Sequence, residues 1–406
     1  MESLFAQSVE DLNGMRHFTR SELAILRSVD KAAEEMAVGE FEHYIRHEVN
    51  LDAIDIAKRH GLLGIPIKKE YGGAGASQLV TALSKERLGQ LGLGLSSFFN
   101  VQVFLGGMSL QHWGDNRQKS KYLKPAAQGK LILAFGLTEP EAGSDPDSMR
   151  STYEKKGDRF ILNGTKYLIT NGSLADRVIV FAKSKANRSE TSAFIVDTKS
   201  TGFNAIRLKE KIGLLTSDTA MLELKGVEVE DTDVLGGIGN GMKVALSGLM
   251  NGRLGVASGC IGIIEGCLNA VVTRSKERIQ HGKPIGKHQL IQRHIAEIRQ
   301  NLEMARWPTY FAAITKDEYE KDITDKRRIR EADNRISIAK KIASRLAFES
   351  ADRAVQIFGG FGYSLLSPVG ALFLDSRVTR IYEGTDEIQE LKIASYALGE
   401  GFEAFR

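Results

Sequence analysis

Phe160-Ile-Leu-Asn-Gly-Thr-Lys-Tyr-Leu-Ile-Thr170 stands where the pattern of this chain changes from one kind of structure to another. Its apolar and β-branched residues are grouped as in a strand, and Asn163-Gly164 in the middle accepts the positive φ angles of a type I′ turn. The expectation is a β-hairpin with strands over 160–162 and 165–170. Further strand-like runs follow at 177–182, 192–196, 203–208 and 220–230. Short strands at this spacing predict a small barrel-like or sandwich domain over residues 131–236.

On both sides of that domain the period is helical. Between residues 19 and 130, Ser21 is placed to cap a helix in which Leu23, Leu26, Val29 and Ala33 recur at three- and four-residue steps. Glycine-rich turns at 61–64 and 72–75 punctuate this region. Between 237 and 406 helices return, and Val256, Cys260, Ile263, Cys267 and Ala270 form one apolar stripe. A second long helix is expected near 288–311 and a third near 336–358. Residues 316–335 include 14 charged side chains in 20 and read as a solvated helix or loop. The order is helical, then β, then helical, an α+β chain with a short tail over 1–18 that receives no assignment.

The 406 residues, 42% hydrophobic and 26% charged, suit a globular chain of two or three domains. A formal charge of +4 against 55 basic and 51 acidic residues gives no argument for a nucleic-acid partner. Cys260 and Cys267 share a helix face but stand about 10 Å apart along the axis, too far for a disulfide, which favours a reducing compartment. The N-terminus has neither the basic and apolar regions of a secretory signal nor the acid-poor composition of a transit peptide. A cytoplasmic protein is expected, or a mature mitochondrial-matrix form with its leader removed. No run reaches the ~18 uninterrupted apolar residues of a membrane span. The eight histidines do not cluster as metal ligands, and Gly237-Ile-Gly-Asn-Gly241 lacks the strand-before, helix-after context of a dinucleotide fingerprint.

Four segments carry the chemistry. Phe135-Gly-Leu-Thr-Glu-Pro-Glu-Ala-Gly-Ser-Asp145 sets many hydrogen-bonding groups beside an apolar entry, more than a plain linker needs. Arg278-Ile-Gln-His-Gly-Lys-Pro-Ile-Gly-Lys-His-Gln289 reads on its own as a basic turn. Val355-Gln-Ile-Phe-Gly-Gly-Phe-Gly-Tyr363 reads on its own as a glycine C-cap. In Arg380-Ile-Tyr-Glu-Gly-Thr-Asp-Glu-Ile-Gln389, Glu383 follows Ile381 and Tyr382 and precedes a flexible Gly384. A carboxylate in such an apolar pocket has its pKa raised by desolvation, which suits a base for a weakly acidic carbon.

In this order the four segments, with Lys166-Tyr-Leu-Ile-Thr-Asn-Gly172 between the first two, resemble the acyl-CoA dehydrogenases over about residues 19–400. The resemblance implies an N-terminal α-helical domain (19–130), a middle β-barrel or sandwich domain (131–236) and a C-terminal four-helix-bundle domain (237–406). It also implies FAD. Phe135, Leu137, Thr138, Leu168 and Thr170 would face the flavin, Leu168 standing where the family often has an aromatic ring, and Ser144 would lie at the substrate or pyrophosphate side. Arg278, His281 (in place of the usual Phe), Gln289, Gln356 and Gly360 would hold the diphosphate and adenosine end across a dimer interface, in a homodimer or homotetramer. Thr385 and Glu387 would contact the phosphate and ribityl region, while Arg253, Tyr382 and Gly384 would shape the substrate pocket.

Glu383 stands at the family's base position. Some members carry the base on an earlier helix directly before an arginine, but Gly252 occupies that place here. The implied reaction is the α,β-dehydrogenation of a saturated acyl-CoA to a trans-2-enoyl-CoA, as in β-oxidation of fatty acids. Glu383 takes the pro-R α-proton, the β-hydride passes to flavin N5, and electrons leave to an electron-transfer flavoprotein. The thioester oxygen would be held by the Glu383 N–H and a ribityl hydroxyl. Phe98, Phe99 and Phe104, read as lining or supporting the acyl pocket, point to a short or branched acyl group. The scaffold also serves acyl-CoA oxidases and decarboxylating glutaryl-CoA-type dehydrogenases, and a non-catalytic binding protein on the same fold is the reading of another class.

Overall fold

The computed structural model describes residues 9–10, 12–14 and 17–404. Its first part is helical: α1 (Arg20–Arg46), α2 (Leu51–Arg59), α3 (Gln78–Gly89), α4 (Leu93–Trp113) and α5, a set of short helical turns over 116–127. Helix α1 is capped by Thr19 and not by Ser21. The Glu22 N–H donates to the Thr19 hydroxyl at 3.2 Å and the Thr19 N–H donates to the Glu22 carboxylate at 2.9 Å. Ser21 already lies inside the first turn and cannot take part in such a reciprocal pair. Helix α4 changes its winding: Leu93–Phe99 is α-helical, Asn100–Gly107 π-helical and Met108–Trp113 α-helical again.

Eight strands follow: β1 (Leu133–Gly136), β2 (Thr152–Lys156), β3 (Arg159–Thr170), β4 (Arg177–Ser184), β5 (Thr191–Asp197), β6 (Phe203–Arg207), β7 (Thr219–Glu230) and β8 (Val234–Leu235). They form one sheet in the order β6-β7-β3-β2-β4-β5-β8, with β1 parallel to β4. Apolar side chains such as Phe160, Phe181, Phe194 and Leu222 fill it.

The hairpin expected at Asn163-Gly164 is not there. β3 runs unbroken from Arg159 to Thr170 against β7, and Asn163-Gly164 sits at a bulge where the register slips between Leu162 and Asn163. The hairpin turn is Gly157-Asp158, which joins β2 to β3 across the Lys156–Arg159 pair. Asn-Gly suits a tight turn locally, but pairing along the whole of β7 prevails. Glycine is needed at 164 for another reason: a Cβ there would fall 2.1 Å from the Ser151 hydroxyl.

The last part contains α6 (Gly241–Glu277), the short β9 (Ile279–Gln280) and β10 (Lys283–Pro284), α7 (Gln289–Glu320), α8 (Lys326–Phe358), α9 (Pro368–Val378) and α10 (Asp386–Leu398). Helices α6, α7 and α8 pack around one apolar cluster that includes Val256, Cys260, Ile263, Leu302, Ile336 and Ala347. Both cysteines are free and buried in α6. Two helices, α4 and α6, are long and apolar enough to cross a membrane, but 100% and 78% of their most apolar windows are buried inside the protein. The 316–335 stretch is not a solvated face throughout. Lys316 is fully buried against Glu320, which also accepts from His112 at 2.7 Å.

Candidate active site

Between α9 and α10 the chain makes a tight turn in which Glu383 takes φ 56° and Gly384 φ 88°. A glutamate in the left-handed region is strained and persists only where its surroundings fix it. Here both carbonyls of the turn are held from neighbouring helices. Arg253 Nε on α6 donates to the Glu383 carbonyl at 3.0 Å, and Lys340 Nζ on α8 donates to the Gly384 carbonyl at 2.7 Å. Gln389 on α10 adds a 2.9 Å bond to the Gly384 carbonyl. Arg253 is fixed in turn by Asp333 at 3.0 Å, whose other oxygen accepts from Lys392 at 2.5 Å. Burial alone would raise Asp333, but Lys392 and Arg253 hold its carboxyl below the ordinary range.

This turn leaves the Glu383 side chain at the floor of a cleft. Removal from water raises its carboxyl to about 7, against the pull of Arg253, Lys340 and Lys85 and a hydrogen bond from Asn100. Asn100 Nδ2 donates to Oε1 at 3.2 Å, while the buried Oε2 has no hydrogen-bond partner among the described residues. Nor does the Glu383 backbone N–H. The carboxylate packs directly on α6 at Gly252.

The cleft opens on a cavity of about 120 Å³ whose walls include Phe135, Leu137, Thr138, Leu168, Thr170, Tyr382 and Glu383. The five residues expected to face a flavin therefore share one cavity with the expected base. The Thr138 loop is anchored from below. Lys166, fully buried on β3, donates to Glu139 at 2.7 Å and to the Leu137 carbonyl at 3.2 Å, and the Tyr167 N–H donates to the Thr138 carbonyl at 2.9 Å. Leu168 lies at a second bulge of β3 with φ 58° and is 55% exposed, an apolar side chain held out from the sheet. With the Thr138 and Thr170 hydroxyls beside it, this wall suits a flat ring with polar edges, and the residues fit a flavin.

Other expected residues lie elsewhere. Ser144 is exposed on its loop and does not line the cavity. Thr385 caps α10, its hydroxyl accepting from the Ile388 N–H at 3.3 Å, and Glu387 is exposed in the first turn of that helix. Arg278, His281, Gln289, Gln356 and Gly360 are all exposed, the first two just past α6, Gln289 at the start of α7, and the last two around the end of α8. The ends of α6 and α8 are joined by Arg274, which stacks on Phe358 and Phe361 at 5.4 and 5.5 Å. Phe98 and Phe99 do not line the cavity but pack in the core with Leu62, Leu63 and Leu95. Phe104, also buried, lies against Gly255 of α6. Ser97, Asn100, Val101, Leu105 and Leu249 line the cavity in their stead. Of the residues that sequence reading missed, Asn100, Asp333 and Lys340 come from helices remote in sequence and Lys392 from the helix that follows the turn, and Asp333 sits inside the charged stretch read as solvated.

Models of the acyl-CoA dehydrogenase N-terminal, middle and C-terminal domains match residues 19–130, 134–227 and 239–398. The chain is 36% identical over 386 residues to an acyl-CoA dehydrogenase of Bacillus subtilis, covering 94% of this chain and 99% of the relative. Butyryl-CoA dehydrogenase from Megasphaera elsdenii superposes with a TM-score of 0.89 at 34% identity, covering 94% of this chain and 99% of that one. A chain from the structure of the electron transferring flavoprotein of Acidaminococcus fermentans gives a TM-score of 0.89 at 36% identity, covering 95% and 99%.

Proposed function

The chain belongs to the acyl-CoA dehydrogenase family, and on that premise we propose that it converts a saturated short-chain acyl-CoA to the trans-2-enoyl-CoA with Glu383 as the base. The family is FAD-dependent, and its members are oxidoreductases acting on acyl-CoA. The observation that carries the reading is the Glu383 carboxylate, raised to about 7, with one buried oxygen uncommitted on the cavity that Thr138, Leu168 and Thr170 line.

Phe135, Leu137, Thr138, Leu168 and Thr170 would hold the flavin ring, and Arg278, His281, Gln289, Gln356 and Gly360 would hold the far end of the cofactor on a neighbouring subunit of a homo-oligomer. Bound FAD supplies the acceptor for the β-hydrogen and its electron pair. The chain's own work is proton transfer and positioning. Glu383 Oε2 takes the α-proton, and a pKa near 7 keeps the base available at neutral pH while making it stronger than an ordinary carboxylate. The free Glu383 N–H is a donor for the thioester oxygen, where negative charge grows as the proton leaves. Arg253 and Lys340 fix the turn so that neither group has to be ordered during the reaction.

Val101, Leu105 and Leu249 on the acyl side, and the likeness to a butyryl-CoA dehydrogenase, favour a short acyl group. The cavity wall has no lysine or arginine among the described residues to pair with a distal carboxylate, which disfavours a dicarboxylyl substrate. Reoxidation by an electron-transfer flavoprotein is supported by the structural neighbour from that system. The test is an anaerobic titration of the purified flavoprotein with saturated acyl-CoAs of graded length. Bleaching of the oxidised flavin band by the shorter chains is the expected result, and a flavin that no thioester bleaches overturns the reading.

A further inference from the structure

Three cations approach Glu383, yet none is bonded to its carboxylate. Arg253 from α6 bonds the Glu383 carbonyl, Lys340 from α8 the Gly384 carbonyl, and Lys85 from α3 the Ser96 carbonyl. Tyr382 adjoins it in the chain, and Asp386 is held by Arg380 at 2.6 Å. Among the described residues the only hydrogen bond to the carboxylate comes from Asn100, at the first residue of the π-helical stretch of α4. Asn100 Nδ2 also donates to the Gly252 carbonyl at 3.3 Å, so both of its acceptors lie on the same side and define which way the amide faces. On its other side Oδ1 packs against α6 at Gly255, where a Cβ would stand 2.0 Å away. The side chain is 6% exposed and therefore wedged between α6 and Glu383.

We propose that Asn100 is a positioning residue that holds Oε1 of Glu383, turns Oε2 toward the substrate and favours the ionised form of the base. This rests on Glu383 being the base. A hydrogen bond donated to a carboxylate stabilises its charged state, whereas the three cations act on the carboxylate only through space, their own hydrogen bonds spent on backbone carbonyls. Asparagine fits the place because it can donate to two acceptors at once without adding charge. An aspartate there would set a second carboxylate against Glu383.

The test uses the FAD-loaded enzyme and Asn100→Leu, which keeps the volume and removes the donor. Infrared difference spectra against Glu383→Gln follow the Glu383 carboxyl through pH without any substrate. Its midpoint is expected to rise by about one pH unit on loss of a hydrogen bond to a charged group. In stopped flow, the acid limb of flavin reduction by acyl-CoA moves up by the same amount. Asn100→Ala, which only removes atoms, gives the same upward shift if Asn100→Leu does not fold. An unchanged infrared midpoint in the folded variant overturns the proposal. Failure of the unmodified enzyme to be reduced by any acyl-CoA would instead sink the assigned reaction, which the infrared titration does not require.

Discussion

A Cβ at position 252 would stand 2.6 Å from both carboxylate oxygens of Glu383. A side chain at 252 and the carboxylate of Glu383, the proposed base, thus compete for one volume, and glycine on α6 leaves that volume to Glu383. The obstructed atoms are the end of a flexible side chain, so an added methyl displaces the carboxylate without disturbing the helix.

Gly252→Ala is accordingly expected to fold with its flavin and near-normal thermal stability but to lose about 10²-fold in the rate of flavin reduction, the scale of a 1 Å misplacement of a reacting group. Stopped-flow reduction by a saturating short acyl-CoA measures it. A rate within a factor of two of the parent would mean that the carboxylate does not act from the position described.

Glu383→Gln keeps the shape of the site and removes the proposed base. Turnover should fall by at least about 10³-fold, within the range for loss of a general base, while the flavin spectrum is retained. Near-normal turnover would transfer the proton abstraction to another group.

The same variant tests the charge of the site through stability. The Glu383 carboxyl is raised from 4.5 to about 7 in the folded chain. Between those values the folded state holds a proton that the unfolded state has released, so this group's contribution to stability falls as pH rises and is lowest above about 7. Glu383→Gln should therefore be the more stable protein at pH 8, by about 3 kcal/mol for a rise of roughly 2.5 pKa units, with the difference vanishing toward pH 4.5. Thermal melts of both proteins across that range decide it, and a difference that does not change with pH would contradict the raised carboxyl.

Asp333 holds Arg253 and Lys392 together behind the turn. The Asp333 and Lys392 side chains are 26% and 28% exposed, so removing one partner of this half-buried cluster costs less than the ~3–5 kcal/mol of a fully buried pair, about 1–3 kcal/mol. Asp333→Ala is expected to lower the denaturant midpoint accordingly and to slow flavin reduction even where the variant is fully folded, because Arg253 no longer fixes the Glu383 carbonyl. Unchanged stability would show that solvent already screens the cluster.

Arg278 lies outside the cavity, exposed beyond the end of α6. If it binds the cofactor of a neighbouring subunit, Arg278→Ala should release FAD on gel filtration at low protein concentration, with weaker retention by roughly tenfold or more for a lost charge-assisted contact. Equal retention by parent and variant would remove the cross-subunit role.

The reach of sequence reading follows the distance over which each feature is specified. Glu383 was legible because its turn, its glycine and its apolar neighbours are contiguous. The strands after Arg177 were legible because their pattern is local. Asn163-Gly164 misled because a turn signal is local, whereas β3 is kept continuous by ten residues of β7, between Thr219 and Glu230, that pair with it from 49 to 71 positions away. Asp333 was hidden among charges that reach water. Its two partners are 80 and 59 residues distant along the chain. Asn100 gave no signal at all, since an asparagine in an apolar helix acquires a purpose only when α6 and the Glu383 turn fold against it.

Asn100, Thr138 and Glu383 come from the helical, β and final helical parts of one chain, and a ribosome delivers them in that order. At about 5–20 residues per second, Asn100 precedes Glu383 by roughly a quarter of a minute to a minute. Until the α9–α10 turn has emerged and been clamped between α6 and α8, the earlier segments can build the wall of the cavity but lack the carboxylate proposed as its base. On the proposed assignment the chemistry is thereby withheld from the nascent chain, and a polypeptide interrupted before that turn lacks its base however well the preceding parts have folded.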